Sequence, residues 1–264
     1  MIFRHYNELE RTSDTAVFFG CGPSINDITQ DDWKVLKKYD VWAVNFFLYH
    51  DFIIPDFYYR GCGKHGTPDE NYKKFKNLWN KKKKTSYKNT KFIIPERSRN
   101  CVSTITDDEV YLIRLYYSWK KSWFRRQKKS SNPVNYEYDV HKIALEEFEI
   151  MDDAIYFYGR ASTCFLLVLM YQMGYEEIII YGNDLNTKTY FWSDRPREQI
   201  HWQWAKQSKP GERGSKEGNH PNIISVTTFV PWFNENYMNN RMFVGSKKTL
   251  LHPKVPYKSI EELR

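Results

Sequence analysis

The feature that most narrows the fold is an alternation. Wholly apolar runs ending at glycine or asparagine, TAVFFG at 15–20, DVWAVNF at 40–46 and EEIIIYGND at 176–184, are separated by segments with helical spacing. A run without polar alternation reads as a strand buried on both faces, and such strands belong to parallel sheets covered by helices. After the first run, INDITQDDWKVLKKY carries Ile28, Trp33, Val35 and Leu36 at the spacing of an amphipathic helix. Before the last, STCFLLVLMYQMGY at 162–175 reads as an apolar helix. With AIYFYG at 154–159 as its opening strand, this is the clearest βαβ unit of the chain. The expected fold is α/β: a Rossmann-like, mostly parallel sheet with helices on both faces, in a single domain over 1–264.

The remaining segments fit that frame. DFYYRG at 56–61 and KFIIP at 91–95 read as short strands, and DDEVYLIRLYYSWK at 107–120 as a helix. Residues 64–135 are expected to form an insertion rich in basic and aromatic residues, with KKFKNLWNKKKKTSYKNTK at 73–91 and WKKSWFRRQKK at 119–129. Each of those two runs is either a solvated helix face or a loop. Residues 185–235 hold too many Gly, Ser and Lys for a packed element and are expected to form a lid or acceptor loop. The C-terminal MFVGSKKTLLHPKVPYKSIEELR reads as a strand, a turn and a short helix.

Composition excludes several function classes. Cys21, Cys62, Cys101 and Cys164 are scattered without CxxC or Cys/His clustering, so neither a zinc site nor a disulfide framework is expected, and a reducing cytoplasm fits. The N-terminus MIFRHYNELERTSDT lacks a signal-peptide core, and no run approaches the roughly 20 apolar residues of a membrane span. A net charge of +8 and a pI near 9.1 favour an anionic partner: nucleic acid, acidic lipid headgroups or a phosphorylated small molecule. Aromatic residues are 17% of the chain, which is enough both to fill a core and to provide stacking surfaces.

The chemistry is expected where strands end. In GCGPS, Gly20, Gly22 and Ser24 either bring backbone amides to an anion at a helix start or form a tight corner between strand and helix. The pattern falls short of GxGxxG and lacks GK[ST]. Asn45 ends the second apolar run, Arg160-Ala-Ser162-Thr163 opens a helix, and Gly182-Asn183-Asp184 ends a strand. All of these gather on one edge of a parallel sheet.

Taken in order, GCGPS, Asn45, RAST (160–163) followed by GYEEI (174–178), GND (182–184) and VGSKKTLL resemble the bacterial sialyltransferases of glycosyltransferase family 42 and their relatives. The resemblance implies a nucleotide-sugar site, CMP- or UDP-linked, with inverting single displacement and no metal. It places the glycine turn beside the phosphate, Asn45 near the phosphate or nucleotide, and Ser162 and Thr163 near the donor, with Arg160, Asn183 and Asp184 in the same strand-end set. It implies a histidine as general base, best matched by His220 with His201 in reserve, and tyrosines that stabilise the leaving phosphate. Tyr190 suits one tyrosine position, while the other holds Asn186. Two further departures are Cys21, where the family has Asn, and Arg60, which stands in the region of another family Asn. The cations Lys188, Arg195 and Arg197 are at hand to neutralise phosphate charge.

The resemblance makes a lipopolysaccharide or capsule glycan the first acceptor, reached by an enzyme that is cytoplasmic or peripheral on the inner membrane face. The basic and aromatic runs equally suit DNA, as in phage-type transfer of a sugar to 5-hydroxymethylcytosine. They also suit a non-catalytic nucleic-acid-binding protein or anionic lipid.

Overall fold

The computed structural model describes residues 1–61, 70–102, 105, 109–116, 155–156, 161–185, 190–191 and 221–264. Its centre is a sheet of strands β1 (Ile2–His5), β2 (Thr15–Phe19), β3 (Asp40–Val44), β4 (Phe57–Tyr59), β5 (Lys91–Pro95), β6 (Glu109–Ile113), β9 (Glu177–Tyr181) and β10 (Met242–Val244). The order across it is β1-β6-β5-β4-β3-β2-β9-β10, and every neighbouring pair is parallel. Phe19, the last residue of β2, lies opposite Ala43 of β3 and Tyr181 of β9. The carboxyl ends of β2 and β9 therefore finish level.

Burial on both faces explains the unbroken apolar runs. Ala16, Phe18, Trp42, Ile178 and Ile180 face one layer, formed by helices α3 (Ser162–Gln172) and α4 (Pro221–Asn236). Val17, Phe19, Val41, Ala43 and Tyr181 face the other, where α1 (Gln30–Leu36) and α2 (Glu70–Lys83) lay down Trp33, Leu36, Phe75 and Trp79. Each such side chain removed from water contributes about 1.5–3 kcal/mol. The sheet with helices on both faces is the fold expected from the sequence. Among the described residues no helix is long and apolar enough to cross a membrane.

Local signals set the ends of elements. Thr29 caps α1 by accepting the amide of Asp32 at 3.3 Å, and Asp32 accepts the amide of Thr29 at 3.1 Å. At the amino-terminal side of the sheet, the buried carboxylate of Asp40 accepts the amides of Thr12 (2.8 Å) and Ser13 (3.3 Å), the Thr12 hydroxyl, and the Tyr175 hydroxyl at 2.6 Å. Tyr175 in turn accepts from the Trp42 indole at 3.2 Å. Burial, then the hydrogen bond to Asp40, push the Tyr175 pKa up, so the phenol stays a proton donor.

Four expectations change. Glu109–Ile113, read as helix, is β6, paired between β5 and β1. Val110 turns to one face while Tyr111 and Ile113 turn to the other, and this pairing overrides a spacing that also fits a helix. AIYFYG contributes β8 (Ile155–Tyr156), which pairs with β7 (Leu115–Tyr116) in a separate two-stranded sheet. The unit β8-α3-β9 therefore does not lie within one sheet. The 64–135 region supplies β5 and β6 to the main sheet, so that part of it is core architecture. Finally, residues 221–235 belong to α4, whose Val226, Phe229, Val230 and Phe233 are buried. The polar 195–220 stretch masked this apolar segment in the sequence. The run 119–129 lies outside the described residues.

Asp40→Asn keeps the size of the side chain and turns an amide donor toward groups that already donate. We expect a loss of about 1–3 kcal/mol, read as a lower urea midpoint with an unchanged slope.

Candidate functional site at the carboxyl edge of the sheet

From β2 the chain winds outward through β3, β4, β5 and β6, whereas from β9 it moves the other way to β10. The connections leaving β2 and β9 thus diverge, and the crevice at such a switch point is where doubly wound sheets place ligands. The two turns at this point are GCGPS after β2 and GND after β9.

These turns are pressed together. The amide of Gly20 donates to the Tyr181 carbonyl at 2.8 Å and that of Gly22 to the Gly182 carbonyl at 2.7 Å. A Cβ on Gly20 would overlap the Gly182 carbonyl oxygen, and one on Gly22 would overlap the Asp184 carboxylate. Asp184 is buried and receives the Ser24 amide at 2.8 Å and the Ser24 hydroxyl at 2.5 Å. The amides of Gly20, Gly22 and Ser24, offered by the sequence to an anion, are therefore spent inside the protein. A carboxylate of the chain itself sits at the start of the 3-10 turn Pro23–Asp27. Of the two readings of GCGPS, the tight corner is the one this geometry fits.

Asn183 joins two more pieces. Its Oδ1 accepts from the Thr163 hydroxyl at 2.8 Å, and its backbone carbonyl accepts from the Thr249 hydroxyl at 2.5 Å. The Leu250 amide donates to the Asp184 carbonyl at 3.0 Å. RAST, GND and TLL, distant in sequence, thus meet at one point. Thr249 is a residue that the sequence reading did not single out, although VGSKKTLL contains it.

Among the described residues two further groups stand at this edge. The first is the start of α3, an 11-residue helix whose N-cap Ala161 offers no side-chain cap and whose first turn holds no acid. Ser162 begins it, half-buried, one residue from the Thr163–Asn183 bond. The positive end of that helix dipole lies on the carboxyl side of the sheet, and among the described residues no side chain caps it. The second is Asn45, in the left-handed region at φ 56°, just past β3. Its amide donates to the Tyr59 carbonyl at 3.1 Å and its carbonyl accepts from the Tyr58 hydroxyl at 2.7 Å. Arg60 Nη1 donates to Asn45 Oδ1 at 3.1 Å, and its guanidinium lies 4.7 Å from the centre of the Phe46 ring and 5.6 Å from that of Phe75. Because guanidinium only donates, Oδ1 is the atom that faces it and the NH2 of Asn45 turns elsewhere. Arg60 thus orients the Asn45 amide.

Cys21 points back into the protein. Its thiol donates to the Val44 carbonyl at 3.5 Å, and desolvation pushes its pKa up to about 12. The amides of Phe46 and Phe47 and the charge of Arg60 act in the opposite direction and do not offset this. Tyr190 is half-buried beside the same turn, since the Phe191 amide donates to the Cys21 carbonyl at 3.2 Å and Asn26 Nδ2 donates to the Phe191 carbonyl at 2.9 Å. Asn26 is a second residue that no motif in the sequence marks. His220, His201, Arg160 and Asn186 lie outside the described residues, as do Lys188, Arg195 and Arg197.

Two outcomes test this geometry. Gly20→Ala or Asp184→Ala should cost about 1–3 kcal/mol through overlap or an unpaired buried amide, lowering the melting temperature by several degrees. With its pKa near 12 rather than the usual ~8.5, the Cys21 thiol is neutral at pH 8. Mass-mapped alkylation should label it about a thousandfold more slowly than free cysteine.

No protein-family model and no curated protein matches the chain. Among solved structures the chain is similar to the monofunctional alpha-2,3-sialyltransferase Cst-I from Campylobacter jejuni. The TM-score is 0.55 at 14% identity, over 98% of this chain and 86% of that one. At that identity the likeness is one of fold, and the fold is sialyltransferase-like.

Proposed function

We propose that the chain is a single-domain glycosyltransferase that moves a sugar from a CMP- or UDP-linked donor to a glycan hydroxyl, by inversion and without a metal. The observation that carries this reading is the uncapped start of α3 beside Asn183, in the switch-point crevice of a sialyltransferase-like fold. An anionic nucleotide phosphate matches the positive end of a helix with Ser162 at its first position. The NH2 of Asn45, oriented by Arg60, supplies a second donor on the same edge.

In the reaction, the acceptor oxygen forms a bond to the anomeric carbon while the bond from that carbon to the phosphate oxygen breaks. The hydroxyl proton passes to the general base, and the negative charge leaves on the nucleotide. Tyr190, tethered to the GCGPS turn through its neighbour Phe191, is assigned to donate to the departing phosphate. His220 is assigned as base, with His201 in reserve. His220 is the residue before α4 in sequence, and α4 runs down to β10 from the carboxyl side of the sheet.

A thermal-shift panel of CMP, UDP, GDP and their sugar conjugates tests the reading. A ligand at a hundred times its Kd stabilises by about 2.7 kcal/mol, and we expect one nucleotide class to raise the melting temperature by several degrees. Silence across the panel would sink the proposal. With the donor known, Tyr190→Phe should lower kcat by about a hundredfold with KM little changed. Parallel incubations with a lipid-linked glycan and with DNA carrying 5-hydroxymethylcytosine identify the acceptor by mass gain, and transfer to the DNA alone would replace the glycan.

A further inference from the structure

The lysine-rich run after residue 70 divides by the geometry of α2. Tyr72, Phe75 and Trp79 point into the core, and Tyr87 in the turn that follows is buried as well. Lys81 lies on the opposite side of the helix and Lys84 follows its last residue, Lys83; both are exposed, as is Lys88 in the turn. Among the described residues no acid pairs with these three lysines. Beside Lys81 runs a groove of about 670 Å3, lined among others by Ile53, Ile54, Leu78, Lys81 and Tyr87. On the loop that forms its other wall, Phe52 is 56% exposed and Ile54 50%. The acid of that loop, Asp51, is neutralised by Lys82 at 3.1 Å, and Lys82 also donates to the His50 carbonyl at 2.8 Å.

We propose that this face, the Phe52–Ile54 loop tip with the lysines of α2 and its following turn, docks on an anionic lipid bilayer. Exposed apolar side chains next to unpaired lysines match the boundary between acyl chains and acidic headgroups. A nucleic acid is disfavoured by the same facts. The aromatic members of the run, Tyr72, Phe75, Trp79 and Tyr87, are core residues, which leaves Phe52 as the single exposed ring of this face among the described residues, whereas a strand of bases is held by several stacking rings in succession. Lysines on the same face as an apolar tip suit a diffuse plane of headgroup charge rather than a bidentate partner. Lipid docking needs neither sugar donor nor acceptor, so it stands apart from the transferase reading.

Flotation with vesicles of phosphatidylcholine alone, and with about 30% phosphatidylglycerol added, tests it. Binding is expected to the acidic vesicles only and to weaken in 0.5 M salt. K81Q/K84Q should weaken it by about tenfold or more, and F52S/I54S by a similar factor. K37Q/K38Q removes the same charge from exposed lysines after α1 and should leave binding unchanged. Circular dichroism melts verify that each variant is folded. Absence of binding to acidic vesicles, equal binding to neutral ones, or an equal loss in K37Q/K38Q would overturn the proposal. So would binding of a DNA oligonucleotide, measured by anisotropy, that F52S/I54S and K81Q/K84Q weaken while vesicles are ignored.

Discussion

The close fit of the β2 and β9 turns, held by Asp184 on Ser24, is the constraint from which the rest of the carboxyl edge follows. The two strands are parallel and end level, but the connections that leave them diverge. Here the buried carboxylate receives an amide and a hydroxyl from the neighbouring turn, and charge-assisted hydrogen bonds of this kind are stronger than neutral ones. The contact is so close that glycine at 20 and 22 is required by the opposing turn. Through Asn183 and the Asp184 carbonyl, the same junction places the start of α3 and the C-terminal turn.

That junction decides which groups are left for chemistry. An internal carboxylate at the β2 turn takes the place an anion would occupy and repels a second negative charge. The next positive feature along the edge is the uncapped end of α3, and the next outward donor is the Asn45 amide. Cys21 lies between them with a desolvated, neutral thiol turned toward β3. A thiol in that position fills space and adds no charge to the crevice. The glycine turn is thereby closed by a carboxylate of the chain itself.

The sheet was legible in the sequence because strands buried on both faces are written as continuous apolar runs, and β2, β3, β5 and β9 all announce themselves this way. β6 was not legible, because EVYLI has apolar residues at spacings that serve a strand or a helix, and only pairing with β1 and β5 decides between them. The site was legible as a set of strand ends, since a parallel sheet brings all carboxyl ends to one edge. The division of labour among those ends was hidden. Nothing local marks Ser24 as a partner of Asp184, 160 residues away, or Asn26 as the tether of Phe191. Such contacts are created by packing and carry no motif of their own.

The basic-aromatic run of α2 illustrates the same limit from the other side. As a string, KKFKNLWNKKKK suggests one surface on which charge and rings act together, as a nucleic-acid site requires. A helix wraps that string around a cylinder at about 100° per residue, and the sheet claims one side of it. Phe75 and Trp79 then belong to the core, while Lys81 and Lys84 belong to the surface. The exposed apolar side chains come from a different segment, the loop after β3, where Ile54 lines the same groove as Lys81 and Phe52 is exposed two residues before it. Composition fixes how much charge and apolar surface the chain carries, but only the fold decides which of them share a face, and here Lys81 shares a groove with Ile54 while the rings of its own run are buried.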